Sequence, residues 1–489
     1  MDSLPKHIHI IGICGVATSA IAIAFKNKGC KVTGSDKGFY PPVSTELEKN
    51  KISFYAGWHP ENIGQPDIIM TGGGGTSPNN PEVIYAKENK IALYTYPEIL
   101  QKYFIKKNSM VVAGTWGKTT ISSLLSFILI EAGMQPSYFT GGLSLSHDTG
   151  AISESDWSVV EGDEYQVSIS DKRPKFVYYN PTHLLLTSVS WDHADLYPTK
   201  EAYFDEFKHL IKRIPKNGLI VACKDDEGVS QIEPWTLGSA KTITYSKNPD
   251  ADYHYHSIKP TKDGLDFIIK MGSKNEHAES SKPNEKWQIH TPMIGRFNAE
   301  NITGCFAMAH SIGIEPKKIV QAIADFKGIK RRFERRLEAE ITVIDCHAPT
   351  PEKAASCLEN IREIYDKKII AVYEPNIGGR QKSSARMYDQ AFKNADIVVI
   401  PRLTRLKVSS DQGSNIEENL NVLPMEGQEL ATTIQKTHKN VHFIDDDKKL
   451  VYFLKTESKQ GDVIVFLGSH GFRGMIEETT TSLHPQSLS

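Results

Sequence analysis

The sequence predicts an α/β protein of roughly three domains, and three observations predict it. Glycine loops after residues 11 and 113 each join a short apolar strand to an apolar helical stretch. At 489 residues the chain is too long for one core, since a domain takes about 150 residues. From residue 341 onward, short apolar runs alternate with helical stretches, the pattern of successive βα units.

The first segment opens with an apolar strand over 7–11, turns through Gly12-Ile13-Cys14-Gly15, enters an apolar helix over 18–25 and returns as a strand ending at Ser35-Asp36. That is a βαβ unit with glycines at its first strand end. Asp36 stands about where an acid binds ribose in dinucleotide folds, so NAD is one reading. Cys14 in place of the second glycine, and the lack of a third, argue against it. A second strand, 66–70, runs into Thr71-Gly72-Gly73-Gly74-Gly75-Thr76. Four glycines exceed what a turn requires, and suit either a plain surface loop or close approach of backbone to a phosphorylated ligand.

The second segment begins with Val111-Val112-Ala113 and runs through Gly114-Thr115-Trp116-Gly117-Lys118-Thr119-Thr120 into an apolar helix over 121–129. This is a phosphate-binding loop. Its glycines let backbone N–H groups approach phosphate, Lys118 reaches the terminal phosphates and Thr119 can hold Mg²⁺, so ATP use is predicted. Its spacing is tighter than the common G-x-x-x-x-G-K-[ST]. Two further apolar strands lead into Glu161-Gly162-Asp163-Glu164 and Asp192-His193-Ala194-Asp195. Open parallel sheets bind ligands beyond the carboxyl ends of their strands, so the loop, Glu161 and His193 are expected in one crevice. Singly, Glu161 reads as a capping or salt-bridged carboxylate and His193 as a helix-start histidine. Together they predict Mg²⁺, a hard cation suited to oxygen ligands. Residues 224–290 say less and include a Lys- and Ser-rich stretch over 272–286. Asn298 and Asn301, three apart beside an apolar helix over 302–310, share a face and can meet a base or ribose, or cap the helix.

The third segment follows the basic run Lys330-Arg331-Arg332-Phe333-Glu334-Arg335-Arg336, with strands predicted at 341–344, 368–373, 397–400, 441–444 and 463–467. Their ends carry Asp345-Cys346-His347, Glu374 to Arg380 and Gly468-Ser469-His470-Gly471. A Cys346/His347 nucleophile pair is disfavoured, because adjacent residues on an extended segment point apart. Arg331 and Arg332 read either as solvated charge or as phosphate contacts. The net charge of -2 argues against nucleic acid or an acidic membrane as partner. No apolar run reaches the roughly 18 residues that cross a bilayer, and residues 1–5 lack a basic n-region, so a cytoplasmic chain is expected. Six scattered cysteines without a C-x-x-C pair predict free thiols and no zinc site.

In their order along the chain, Gly12-Ile13-Cys14-Gly15, Ser35-Asp36, Gly114 to Thr120, Glu161-Gly162-Asp163-Glu164-Tyr165, Asp192-His193-Ala194-Asp195, Asn298-x-x-Asn301 and Arg331-Arg332-Phe333 resemble the Mur ligase family. These are ATP-dependent enzymes that build the peptide of bacterial cell-wall precursors. The resemblance implies an N-terminal Rossmann-like domain for a UDP-sugar (1–107), a central P-loop ATPase-like domain with a mostly parallel sheet (108–330) and a C-terminal Rossmann-like α/β domain presenting the amine (331–489). It implies that Gly12, Cys14, Gly15, Ser35, Asp36, Gly73 and Gly74 meet UDP-N-acetylmuramate. Gly114, Thr115, Gly117, Lys118, Thr119, Thr120, Asn298, Asn301, Arg332 and Asp345 would bind ATP; Thr119, Glu161 and His193 would hold Mg²⁺; Lys118, Glu161, His193 and Arg380 would serve catalysis. Two branches fit, one adding L-alanine and one, the murein peptide ligases, attaching a salvaged tripeptide. Glu164-Tyr165, Ser170-Asp171-Lys172-Arg173-Pro174-Lys175-Phe176 and Tyr40-Pro41-Pro42-Val43-Ser44-Thr45 resemble the second more. The expected state is a monomer or weak homodimer. Departures are Trp116 in place of the usual loop histidine, a single arginine at Arg380, and Asp345-Cys346-His347-Ala348-Pro349-Thr350-Pro351 where relatives read Asp-Asp-Phe-Ala-His-His-Pro. They place the amine substrate in question more than ATP, and leave open a regulatory homologue that has lost ligase chemistry. Lys208 is similar in placement to a carbamylated lysine of other branches, but reads more simply as a surface lysine.

Overall fold

The computed structural model describes residues 3–39, 43–72, 77–168, 170–193, 195–272, 285–376, 378–404, 425–469 and 471–484. Gly73, Gly74 and Gly75 of the four-glycine run with Thr76, residues 40–42, Ala194, His470 and most of the Lys- and Ser-rich stretch lie outside the described residues. The strands form three sheets. By compactness the chain divides into two units, one of residues 1–259, 266–292 and 297–328, the other of residues 260–265, 293–296 and 329–489.

The first sheet joins β1 (His7–Ile11), β2 (Lys31–Asp36), β3 (Ser53–Ala56), β4 (Ile68–Thr71) and β5 (Ala92–Thr95) in the order β3-β2-β1-β4-β5. All its pairings are parallel. β1 is buried along its whole length, as a central parallel strand requires. The order reverses at β1, so the loops after β1 and β4 lie side by side: a Cβ on Gly12 would stand 3.7 Å from Gly72 Cα.

The second sheet has ten strands. In chain order they are β6 (Asn108–Ala113), β7 (Ser137–Phe139), β8 (Gly150–Ala151), β9 (Trp157–Gly162), β10 (His183–Leu186), β11 (Leu219–Cys223), β12 (Lys241–Ser246), β13 (Tyr253–Thr261), β14 (Gly264–Met271) and β15 (Lys286–Thr291). Their order in the sheet is β15-β14-β13-β12-β11-β10-β6-β9-β7-β8, with β7 and β8 antiparallel and every pair from β13 to β7 parallel. From β6 the chain winds first toward β9 and β7, then crosses back to β10. That makes the end of β6 the topological switch point, where an open sheet leaves a crevice. The helix Val16–Asn27 of the first domain is buried from Thr18 to Phe25 and also meets β8, where a Cβ on Gly150 would lie 3.3 Å from Ala20 O. One apolar core therefore runs through both domains, from Ile8 and Phe25 to Val111, Leu184 and Tyr203.

The third sheet has β16 (Glu334–Glu338), β17 (Thr342–His347), β18 (Ile369–Glu374), β19 (Ile397–Pro401), β20 (Val441–Ile444) and β21 (Val463–Gly468) in the order β16-β17-β21-β18-β19-β20. Only β16 is antiparallel. Alternation sorts its apolar residues onto two faces: Ile344, Val398, Val463 and Val465 in one core, Val343, Val399, Ile464 and Phe466 in the other. Two details differ from the sequence reading. The basic run ends in an edge strand, and Asp345 to His347 lie within β17 rather than past its end. Among the described residues no helix is long and apolar enough to cross a membrane. The cysteines are free thiols.

Candidate active site

β6 is followed by Gly114 at φ +137° and Gly117 at φ +80°, backbone conformations that side chains avoid. Space is equally restrictive. A Cβ on Gly114 would stand 2.1 Å from Thr187 Oγ1, and one on Gly117 2.6 Å from Asn301 Oδ1. The exit of β10 holds the loop: Thr115 N donates to Ser188 O (2.9 Å), Trp116 N to Ser188 Oγ (3.0 Å) and Thr187 Oγ1 to Trp116 O (2.6 Å). The helix Lys118–Glu131 starts directly after Gly117, so Lys118, Thr119 and Thr120 occupy its first turn, where free N–H groups and the helix dipole favour anions. Trp116 is 54% exposed on the loop.

Lys118 Nζ donates to Gly114 O (2.5 Å) and Glu164 Oε1 (3.1 Å), lies 3.4 Å from Thr115 O, and stands 2.9 Å from Glu164 Oε2. Glu161, near the end of β9, accepts from Thr119 Oγ1 (3.1 Å) and from Gly141 N (2.8 Å). Burial raises its carboxyl above the ordinary carboxylate range, against the opposing pull of Lys118. A half-buried carboxylate beside a hydroxyl, at a helix start where phosphate would bind, is a donor set that fits Mg²⁺. His193 has a left-handed backbone, φ 53°. Its Nε2 lies 3.7 Å from Glu164 Oε1 and its ring stands edge-on to Tyr165 at 5.0 Å. The Glu164 contact raises the histidine, outweighing burial. The structure thus brings Thr119 to Glu161, and His193 to Glu164. The sequence reading gave Glu164 no site role, although it belongs to the same acidic run; nothing in that run tells which carboxylate faces the loop.

The helix Phe297–Ser311 begins before the predicted 302, so Asn298 and Asn301 are both helical and buried. Asn301 Nδ2 donates to Asn298 Oδ1 at 3.2 Å, and the Gly117 clearance places Asn301 against the phosphate loop. In the first domain, Asp36 accepts from Cys14 N (2.8 Å), and Gly12 N donates to Ser35 O (2.8 Å), so Asp36 and Ser35 brace the Gly12 to Gly15 turn. Ser35 is fully buried, its hydroxyl donating to Glu82 at 2.5 Å. Glu82 also accepts from Tyr55 OH and His59 N, and His9, 3.7 Å away, together with these bonds and that of Ser35, holds it below the usual carboxylate range despite burial.

In the other unit, Asp345 is buried and lies 3.3 Å from Arg331 Nε. Burial pushes its carboxyl up to about 6, with Arg331 opposing. Arg331 also donates to Ser469 O (2.9 Å) and Gly468 O (3.0 Å), and exposed Arg332 donates to His347 O at 3.5 Å. Arg380 is 4% exposed. It donates to Met425 O (3.1 Å) and Thr404 O (3.2 Å) and lies 3.5 Å from Glu426 Oε1, so its guanidinium braces its own domain. Lys208 pairs with Asp205 at 2.8 Å on the surface, the simpler of its two readings. Burial and the neighbouring Cys357 raise the Cys346 thiol well above its ordinary range, which removes it further from a nucleophile's part.

Comparison with known proteins agrees with this geometry. Residues 7–107 match the Mur ligase family catalytic domain, 112–309 the Mur ligase middle domain and 331–470 the Mur ligase glutamate ligase domain. The UDP-N-acetylmuramate--L-alanine ligase of Bradyrhizobium sp. (strain BTAi1 / ATCC BAA-1182) is 30% identical over 95% of this chain and 96% of its own. The UDP-N-acetylmuramate--L-alanyl-gamma-D-glutamyl-meso-2,6-diaminoheptandioate ligase of Haemophilus influenzae is 31% identical over 76% of this chain and 80% of its own. The crystal structure of the UDP-N-acetylmuramate-alanine ligase of Thermotoga maritima superposes with a TM-score of 0.77 at 21% identity, covering 98% of this chain and 99% of that one, which shows the fold. With its phosphate loop, its acidic strand end and its three sheets, the chain belongs to the Mur ligase family of ATP-dependent amide-bond ligases.

Proposed function

We propose that this enzyme joins a peptide, L-Ala-γ-D-Glu-meso-diaminopimelate, to the lactyl carboxylate of UDP-N-acetylmuramate in the recycling of peptidoglycan, in the cytoplasm, as a monomer or weak homodimer. The observation that carries the ligase chemistry is the meeting of Lys118, Thr119, Glu161 and Glu164 at the end of β6. In this reading residues 1–107 take the UDP-sugar, 108–330 the ATP and 331–489 the amine. The sugar carboxylate attacks the γ-phosphorus of ATP, ADP leaves, and the acyl phosphate is attacked by the amine; the tetrahedral intermediate collapses to amide and phosphate. Lys118 neutralises charge on the transferred phosphoryl group, and the free N–H groups of Thr119 and Thr120 donate to phosphate oxygens. Thr119, Glu161 and His193 are the groups that would hold Mg²⁺, which when bound offsets phosphate charge. Asn298 and Asn301 are the groups proposed to meet the nucleoside, and Arg332 and Asp345 are proposed as further ATP-binding residues. Arg380, braced as it is, acts by shaping the amine-binding domain unless its partners release it.

The tripeptide is favoured by the segment after Glu164. Lys175, almost buried, pairs with Asp163 at 2.6 Å and stands over the Tyr165 ring at 5.3 Å, and Arg173 is bidentate on Asp171 beside Tyr178. A second reading, an L-alanine ligase of peptidoglycan synthesis, is favoured by the longer coverage of the Bradyrhizobium relative. A third, a regulatory homologue without turnover, is motivated by the altered segment Asp345 to Pro351. ADP formation with UDP-N-acetylmuramate and a panel of L-alanine, other amino acids and the tripeptide separates them. Turnover with the tripeptide supports the proposal, turnover with L-alanine alone supports the second reading, and none with any amine the third.

A further inference from the structure

The three carboxylates at and just past the end of β9 are held in unlike ways. Glu161 is bonded to Thr119 and Gly141, and Asp163 is tied to nearly buried Lys175 at 2.6 Å. Glu164 is 3% exposed, and its backbone carbonyl is fixed by Tyr197 OH at 2.5 Å. Its cationic partner is the one lysine that ATP must also use. An ammonium has three protons. Those of Lys118 face Gly114 O at 2.5 Å, Thr115 O at 3.4 Å and Glu164 at 2.9–3.1 Å. A phosphoryl oxygen can gain Lys118 only if one acceptor gives it up. Two of these are loop carbonyls that travel with the lysine; the third is a carboxylate that would then stand buried, with the His193 imidazole at 3.7 Å as its remaining neighbour, close to a polyphosphate. A buried carboxylate left so is strongly disfavoured unless another cation replaces the lost one. The replacement has a second ligand at hand. Nε2 of His193 lies 3.7 Å from Glu164 Oε1, and two ligands each about 2.1 Å from a divalent cation stand about 3–4 Å apart.

We propose that Glu164 is an exchangeable counter-ion: it holds Lys118 before nucleotide arrives, then yields it to the phosphates and, beside His193, ligates a divalent cation. Nucleotide and metal are thereby coupled through one carboxylate, each promoting the other's binding. This rests on the ATP-dependent reading above, but adds a residue and a role to it. Glu161 with Thr119 forms the other cation position, so Glu164 acts at the second.

The test is binding, with Mn²⁺ followed by its electron paramagnetic resonance signal and ADP by calorimetry, on the full chain. Without nucleotide, Lys118→Met frees Glu164 and is expected to tighten Mn²⁺ binding at least about tenfold; adding Glu164→Gln returns it to the wild-type value. In Glu164→Gln alone, ADP binds more tightly without metal than it does to wild type, and the gain in ADP affinity on adding Mn²⁺ shrinks at least about tenfold. Mn²⁺ affinity in Lys118→Met within twofold of wild type would overturn the proposal, as would an unchanged Mn²⁺ effect on ADP in Glu164→Gln. Should Glu164→Gln not fold, the Lys118→Met measurement decides alone. Wild-type protein that binds no ADP would instead overturn the ATP-dependent reading, so the two failures are told apart.

Discussion

The ammonium of Lys118 rests on Glu164 and on a carbonyl of its own loop. The lysine's position after Gly117 predicts phosphate binding, but the sequence does not tell where the ammonium rests before phosphate arrives, because Glu164 comes from the loop after β9, 46 positions away. Lys118→Ala is expected to lower ADP formation about 10²–10³-fold while leaving the melting temperature near that of wild type; substantial turnover in the variant would refute its role. Asp345 supports a second prediction. Its carboxyl titrates at about 6 in the folded protein against 3.8 for an ordinary aspartate. The folded state therefore holds the proton more tightly than the unfolded chain. Stability from this group is full below pH 4 and is lost as pH rises through about 6, in total roughly 3 kcal/mol. Asp345→Asn should remove that slope. Denaturant melts at closely spaced pH values, wild type against variant, measure it; parallel curves between pH 4 and 7 would show the carboxyl to be ordinary.

At the scale of elements, the strand that precedes the phosphate loop, the helix after it and the alternation of the third domain were legible because periodicity and glycine placement are local signals. The misses have physical causes. β16 reads as a charged run because an edge strand need bury little, and Asp345 to His347 read as lying at the end of the strand rather than within it, because polar residues at the end of a parallel strand break its apolar pattern. The pairing of β10 with the phosphate loop depends on long-range contacts that no local pattern encodes. One of its supports is Asp226, whose carboxylate caps the helix Glu227–Ile232 at Val229 N (2.8 Å) and also accepts from Val189 N (2.9 Å), just before the His193 turn. Asp226→Ala is expected to cost about 1–2 kcal/mol and to speed amide exchange at Val189 to Ser190. Thermal melts with hydrogen exchange check this, and unchanged exchange there would mean the turn is held by other bonds.

For the whole molecule, the division into two compact units predicts two calorimetric transitions. The first two domains share a core and should melt together, so a nucleotide should raise the transition of that unit. At a hundredfold excess over Kd the gain is about 2.7 kcal/mol, and Lys118→Ala should abolish most of it; a single transition in wild type would show the units to be coupled. Three domains were readable in length and motif order, whereas the common core of the first two was not, because Phe25, Tyr103 and Val160 meet only in space. The outer strand of the third sheet has a bearing on solubility. β16 reads Glu-Arg-Arg-Leu-Glu and shields β17, four of whose residues are fully buried. An open edge invites pairing with another chain, and charge along it discourages that. Replacing Arg335 and Glu338, which pair at 3.2 Å, by valine leaves net charge unchanged and strips the guard from the edge. Light scattering should then report concentration-dependent self-association absent from wild type, so this stretch of charge protects the enzyme from its own copies as well as finishing a sheet.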